Sequence, residues 1–116
     1  MKDNQPRSGW QIYLNALIDC KVKEGARRWY AQYLKRFLTS VGALNESRVE
    51  FDRDQVMAYL VDCGREPLLK AWQYRQLVHA LQIYFERVVR PVWKEAIDWE
   101  YLKQSAQELD EDHPTV

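Results

Sequence analysis

Seven tyrosines, two histidines and two cysteines are the side chains of this chain best able to form a covalent bond, hold a metal or move a proton. Their spacing does not gather them. His79 lies on a helical stretch with no Cys, His or carboxylate four residues to either side. The two-ligand helical face of a zinc site is therefore missing, and an exposed histidine is expected. His113 sits in the C-terminal tail. Cys20 and Cys63 belong to no C-x-x-C pair and form no disulfide framework, so two reduced, buried or half-buried thiols are expected. The chain contains no glycine-rich phosphate loop, no H-E-x-x-H and no nucleophile elbow. Asp52 and Asp54 fall at a helix start, where two carboxylates favour the macrodipole. Catalysis needs converging groups of tuned pKa, and none converge here. No catalytic residue, metal ligand or cofactor is expected, and the chain on its own is not expected to be an enzyme.

Binding chemistry is better supplied. Lys21 to Arg36 holds six basic residues against Glu24 alone. At 100° per residue, Arg28, Ala31, Gln32, Lys35 and Arg36 share one arc of a helix, basic and polar with a small residue at its middle. Further on, Lys70, Trp72, Gln73 and Gln76 place long donors beside a tryptophan. Arg and Lys neutralise phosphates and pair with guanine, and Gln pairs with adenine. Arg27, Arg28, Lys35, Lys70, Gln73 and Gln76 are accordingly the candidate DNA contacts, against the bland alternative of a merely solvated face. The formal net charge is +0, but it divides unevenly. Residues 94–116 carry two lysines and seven carboxylates, a net −5, and residues 1–93 carry the balancing +5. Such asymmetry suits an electrostatic footprint followed by an acidic tail.

The elements that must present these residues are helices. The chain has 116 residues, enough for one domain with its own core, and is 47% hydrophobic and 29% charged. Four Gly and four Pro fall between long periodic stretches. The spacing predicts a first helix over about Gly9 to Cys20, capped by Ser8, with Trp10, Tyr13, Leu14, Leu17 and Ile18 inward. A second runs from about Ala26 to Val41 and stops at Gly42, burying Trp29, Tyr30, Tyr33, Leu34, Phe37, Leu38 and Val41. A third runs from Arg53 to Cys63, with Asp52 as N-cap, Gln55 three residues on, Phe51 and Val56 as a hydrophobic staple, and Gly64 as terminator. Pro67 opens a fourth that continues to about Val89, with Tyr74, Leu77, Val78, Leu81, Tyr84, Phe85 and Val88 buried. A fifth is expected over about Val92 to Glu108, where Trp99 finds no obvious place. Leu17, Leu34, Phe37, Leu60, Leu81 and Phe85 should meet in one core. No apolar run reaches the roughly 20 residues a bilayer demands, and the N-terminus has no export-signal core, so a cytoplasmic protein without membrane contact is expected.

Three of these stretches resemble the tyrosine recombinase (phage integrase) family, nearest to its integron-type integrases. Gln73-Tyr74-Arg75-Gln76-Leu77-Val78-His79-Ala80-Leu81-Gln82-Ile83-Tyr84-Phe85 is similar to the family helix that reads roughly T-x-x-x-x-L-x-A-L-x-x-x-Y. Ala26 to Leu38 looks like its T-x-x-x-Y-x-x-x-L-x-x-F segment, and Asp52 to Leu60 like its D-x-x-x-V-x-x-Y-L helix. Order and spacing agree from about Trp10 to Trp93. Gln73 stands where the family has a hydroxyl residue, and Trp72 where a polar residue is common. The resemblance implies the N-terminal core-binding domain, an all-α, SAM-like orthogonal bundle of four to five helices over residues 1–93. Residues 94–116 would be an acidic helix and tail leading toward a catalytic domain. The family's catalytic Arg, Lys, His and Tyr set has no counterpart here, so the chain is either one domain of a recombinase or a stand-alone relative. The implied function is DNA binding in site-specific recombination and integration: gripping a half-site of double-stranded DNA, beside other recombinase protomers, without exchanging strands and without a small-molecule substrate. The alternative is a helical protein–protein module with no nucleic-acid role, for which Trp72, Trp99 and Tyr101 would be the anchors if exposed.

Overall fold

A computed structural model describes residues 9–43, 51–93 and 96–109. These residues are all-helical, with no strand among them: α1 (Gly9–Asp19), α2 (Glu24–Ser40), α3 (Arg53–Gly64), α4 (Ala71–Ile83) continued by a π-helical segment (Tyr84–Val89), and α5 (Trp99–Leu109). No described helix is long and apolar enough to cross a membrane. Ser8, the expected cap of α1, lies outside the described residues, as do Lys94 and Glu95 and the tail.

Two helices end by the same device. After α1, Lys21 adopts a left-handed φ of 63°, its N–H donates to the Ile18 carbonyl and that of Val22 to the Leu17 carbonyl. After α2, Gly42 takes φ 73° while its N–H and that of Ala43 donate to Thr39 and Leu38. Both are Schellman ends, and in each the closing apolar pair, Leu17 with Val22 and Leu38 with Ala43, is buried. Gly42 is thus the stop that its type predicts. Gly64 is not: it is the last residue of α3, and a Cβ there would stand 3.4 Å from the Tyr74 ring. That glycine lets the ring lie on the helix backbone, where Tyr74 Oη donates to the Leu60 carbonyl at 3.1 Å. Asp52 caps α3 as expected, accepting from the Asp54 N–H, with Phe51 and Val56 buried beside it. The fourth helix starts at Ala71, later than Pro67, because residues 67–70 form a turn. Its start is fixed by Gln73 Oε1, which accepts from the Lys70 N–H at 2.8 Å.

α4 is the central element, packing along α5 and against α2, while α1 lies on the π segment. The six residues expected to share a core are all essentially inaccessible. Rings fill its middle. Phe85 meets Phe37, Phe51, Tyr84, Trp93 and Trp99 at centroid distances between 5.2 and 6.3 Å. Trp99, without a place in the sequence pattern, is buried against Phe85 because α5 begins at Trp99 and not at Val92. Ile97, Trp99 and Leu102 then face α4, while Tyr101 points outward. Three other expectations are corrected. Leu14, Ile18 and Trp29 are exposed, since α1 and α2 bury narrower stripes centred on Tyr13–Leu17 and Tyr30–Phe37.

Leu81 is fully buried in this core, so Leu81→Ala should lower the unfolding free energy by about 2–5 kcal/mol in a urea titration. Leu68, 87% exposed, is the control, and Leu68→Ala should change stability by no more than about 0.5 kcal/mol. Equal effects at the two positions would mean that the helix phases are wrong.

Candidate nucleic-acid interface

α2 is a 17-residue helix with its apolar residues on one side, so its other side is left to solvent. Arg28, Gln32, Lys35 and Arg36 are exposed there and Ala31 is half-buried. Arg28, Lys35 and Arg36 form no ion pair with any described carboxylate. The Arg28 guanidinium lies 5.3 Å from the centroid of the exposed Trp29 ring, a cation–π contact that holds it along the helix surface. Arg27 is placed differently. Half-buried, it folds back and its Nε donates to the Val22 carbonyl at 3.0 Å, bracing the turn between α1 and α2. Trp10 of α1 approaches the arc from the side, lining a shallow groove of ≈ 260 Å³ with Ala31, Gln32 and Lys35.

The second group sits at the start of α4. Lys70 is exposed, whereas Gln73 and Gln76 are half-buried and each has its amide oxygen occupied. Gln73 Oε1 takes the Lys70 N–H, and Gln76 Oε1 accepts from Tyr33 Oη at 3.1 Å. Two polar links therefore join α2 to α4: Tyr33 to Gln76, and Tyr30 Oη to His79 Nδ1 at 2.8 Å. Beside them α2, α4 and α5 enclose a groove of ≈ 320 Å³ lined by Tyr30, Trp72, Arg75, Gln76, His79 and Lys103.

The six candidate contacts do not converge on one spot. Lys35 borders the α1–α2 groove and Gln76 the α2–α4–α5 groove, while Arg27, Arg28, Lys70 and Gln73 line neither. The expectation of an exposed His79 is overturned, since the ring is half-buried, edge-on to Tyr30 at 5.4 Å. Sequence reasoning missed Arg75, His79 and Lys103 as groove residues. Trp72, Arg75, Gln76 and His79 repeat at the 3–4 spacing of one helix stripe, a signal available in the sequence. Lys103, 24 residues beyond His79 and one chain reversal away, offered none. Among the anchors of the protein–protein alternative, Trp72 (42%) and Tyr101 (64%) are exposed, but Trp99 is in the core.

The tyrosines are explained by hydrogen bonding. Tyr13 Oη donates to the Ala80 carbonyl at 3.0 Å, and burial pushes the Tyr13 phenol far above its ordinary range. Burial likewise pushes Tyr74 up to about 12 and raises Tyr30 and Tyr33. Among the described residues no three His, Cys, Asp or Glu side chains come together. Compared with protein-family models, curated proteins and solved structures, the chain matches none.

Burial holds the His79 imidazole below its ordinary 6.5; Lys103 nearby adds to this, and Glu100 and Glu86 oppose it. As pH falls, the unfolded chain therefore takes up the proton before the folded one does. The stability that neutral His79 contributes is complete above pH 6.5 and is lost as pH falls from there to the depressed folded value. Urea titrations of wild type and His79→Gln on both sides of that window should show wild type losing more stability on acidification. Parallel pH profiles would remove the argument.

Proposed function

We propose that this chain is the DNA-binding, core-binding module of a tyrosine recombinase of the integrase type, folded as a SAM-like orthogonal bundle. It grips duplex DNA through the outer face of α2 and the start of α4 and supplies no catalytic group for strand exchange. The observation that carries this reading is the arc of Arg28, Lys35 and Arg36 on one helix, cations without a carboxylate partner among the described residues. Arg28 and Lys35 are about 10 Å apart along the axis at 1.5 Å per residue. Duplex DNA presents one charge per about 1.7 Å of its own axis with both strands counted, so a separation of about 10 Å is wide enough for two different phosphates. Gln32 and the amide NH2 groups of Gln73 and Gln76 supply donors for base edges or sugar. The three recombinase-like segments fall on α2, α3 and α4, the helices that carry or buttress these groups.

Salt dependence tests the proposal. With about four phosphates neutralised, the log–log slope of affinity against salt should be near −3.6. Arg28→Ala with Lys35→Ala should reduce that slope by up to about two units on every sequence, and Arg36→Ala by about one more. Gln76→Ala should instead leave the slope alone, since it removes a neutral donor and no charge. The protein–protein alternative draws on exposed Trp72 and Tyr101, and binding through such anchors is nearly salt-independent. Absence of duplex binding at low salt would shift the choice to that alternative.

Incubation with supercoiled plasmid should yield neither nicks nor covalent tyrosyl–DNA adducts. An adduct on any tyrosine of this chain would overturn the non-catalytic part of the proposal.

A further inference from the structure

We infer that the groove between α2, α4 and α5 is a phosphate-binding site, built from Arg75, Lys103, His79, Gln76 and Trp72. The inference rests on a donor and acceptor count around the groove. None of the described residues that line it carries a carboxylate. The Gln76 carbonyl oxygen already takes the Tyr33 hydroxyl, and His79 Nδ1 faces the Tyr30 hydroxyl at 2.8 Å. With Tyr30 donating, the imidazole carries its proton on Nε2. Lys103 Nζ directs one hydrogen to Gln82 Oε1 and one to Glu100 Oε2, both at 2.9 Å, and keeps a third. What the groove offers is then donors: the Arg75 guanidinium, the third Lys103 hydrogen, the Gln76 NH2, the Trp72 indole N–H and His79 Nε2–H.

This set selects a ligand class. A cation meets two full positive charges and, among the described lining residues, no carboxylate to offset them. An apolar ligand would strip water from five donor groups and give nothing back. A carboxylate has about four lone-pair positions, fewer than the N–H groups on offer, whereas a tetrahedral phosphate presents more oxygens and suits the Arg fork. At roughly 30 Å³ per water, ≈ 320 Å³ corresponds to about ten water molecules, room for a phosphate with part of its hydration. The charged and titratable groups around His79 are Arg75 on its own helix, Tyr30 from α2, Lys103 and Glu100 from α5, and Glu86 from the π segment. Glu100, largely exposed, is the one carboxylate on Lys103, and a bound phosphate competes with it for the ammonium.

The phosphate is either a free or monoester phosphate or a diester of a nucleic-acid backbone; only the second case rests on the DNA reading above. The test follows the His79 ring and Trp72 indole NMR signals of the full chain. Sodium phosphate should move both saturably and raise the His79 midpoint, because a bound anion favours imidazolium. Sodium chloride at matched ionic strength should not. Arg75→Gln with Lys103→Gln should abolish the saturable shift while circular dichroism shows the helices intact. A blunt duplex without terminal phosphates distinguishes the sources. If it moves the same signals, the backbone occupies the groove. If it leaves them still while phosphate moves them, the ligand is a free or monoester phosphate. A chain that responds to phosphate and binds no duplex refutes the DNA reading and keeps the groove. No saturable response to phosphate or duplex, an equal response to chloride, or an unchanged response in the double variant would overturn the inference.

Discussion

The burial of the Phe85 ring is the constraint from which the rest of the architecture follows. It has no exposed surface, and the rings around it come from α2, from Phe51 just ahead of the α3 cap, from the π segment, from the turn after it and from α5. Edge-to-face pairs, as Phe85 makes with Phe37, Phe51 and Tyr84, and offset stacks, as with Trp99, add roughly 0.5–1.5 kcal/mol each beyond area burial, and they fix orientation as well as contact. To bring Trp93 and Trp99 back onto Phe85, the chain must leave the fourth helix abruptly. It does so through the π segment, closed by a left-handed Arg90 whose N–H donates to the Phe85 carbonyl at 2.8 Å. The Trp93 indole then donates to the Phe51 carbonyl at 3.0 Å, tying the reversal to the start of α3. α5 is thereby placed along α4, and with it Lys103 reaches the groove.

Around this apolar centre the tyrosines act as struts. Each buried phenol covers apolar surface with its ring and presents a hydroxyl that must find a partner. Tyr13 and Tyr74 take backbone carbonyls of α4 and α3, and Tyr30 and Tyr33 take side chains of α4. The second pair has a consequence for function. With the Tyr30 hydroxyl donating to His79 Nδ1 and the Tyr33 hydroxyl to the Gln76 oxygen, the same contacts that hold α2 to α4 leave His79 Nε2–H and the Gln76 NH2 as donors at the groove. Packing and ligand chemistry are here two results of one pair of hydrogen bonds.

What the sequence made legible was the part governed by local periodicity. Leu17, Leu34, Phe37, Leu60, Leu81 and Phe85 sit at helical spacing, and all six are in the core. The Asp52 cap and the Gly42 stop follow from side-chain chemistry that acts within a few residues. The sequence did not reveal features decided by distant partners. Trp99 had no apolar neighbours at helical spacing, since its partner, Phe85, is fourteen residues back across a chain reversal. His79 looked like a surface residue because Tyr30, which covers it, lies on another helix. Gly64 has the residue type of a terminator, but it is the last helical residue of α3, and the ring that lies beside it belongs to α4. Among the candidate contacts, Arg27 has the right residue type, yet its Nε is committed to the Val22 carbonyl, a contact that charge counting cannot foresee.

Zero net charge would ordinarily argue against a polyanion as ligand, but affinity for phosphate depends on local field and on pairing, not on the sum. Among the described residues, the carboxylates that form ion pairs leave the outer arc of α2 alone. Asp54 pairs with Arg53 at the start of α3, Asp19 lies 3.9 Å from Arg87, and Glu100 is held by Lys103. None of these pairs involves Arg28, Lys35, Arg36 or Arg75. Exposed pairs of this kind contribute little to stability, about 0–1 kcal/mol, so folding alone gives little reason for the division of charge. An arrangement that leaves cations unpaired costs self-repulsion, and that cost is offset when an anion binds. The outer arc of α2 and the donor-lined groove each hold such a cation, and α4 packs against both α2 and α5, the helices that present them.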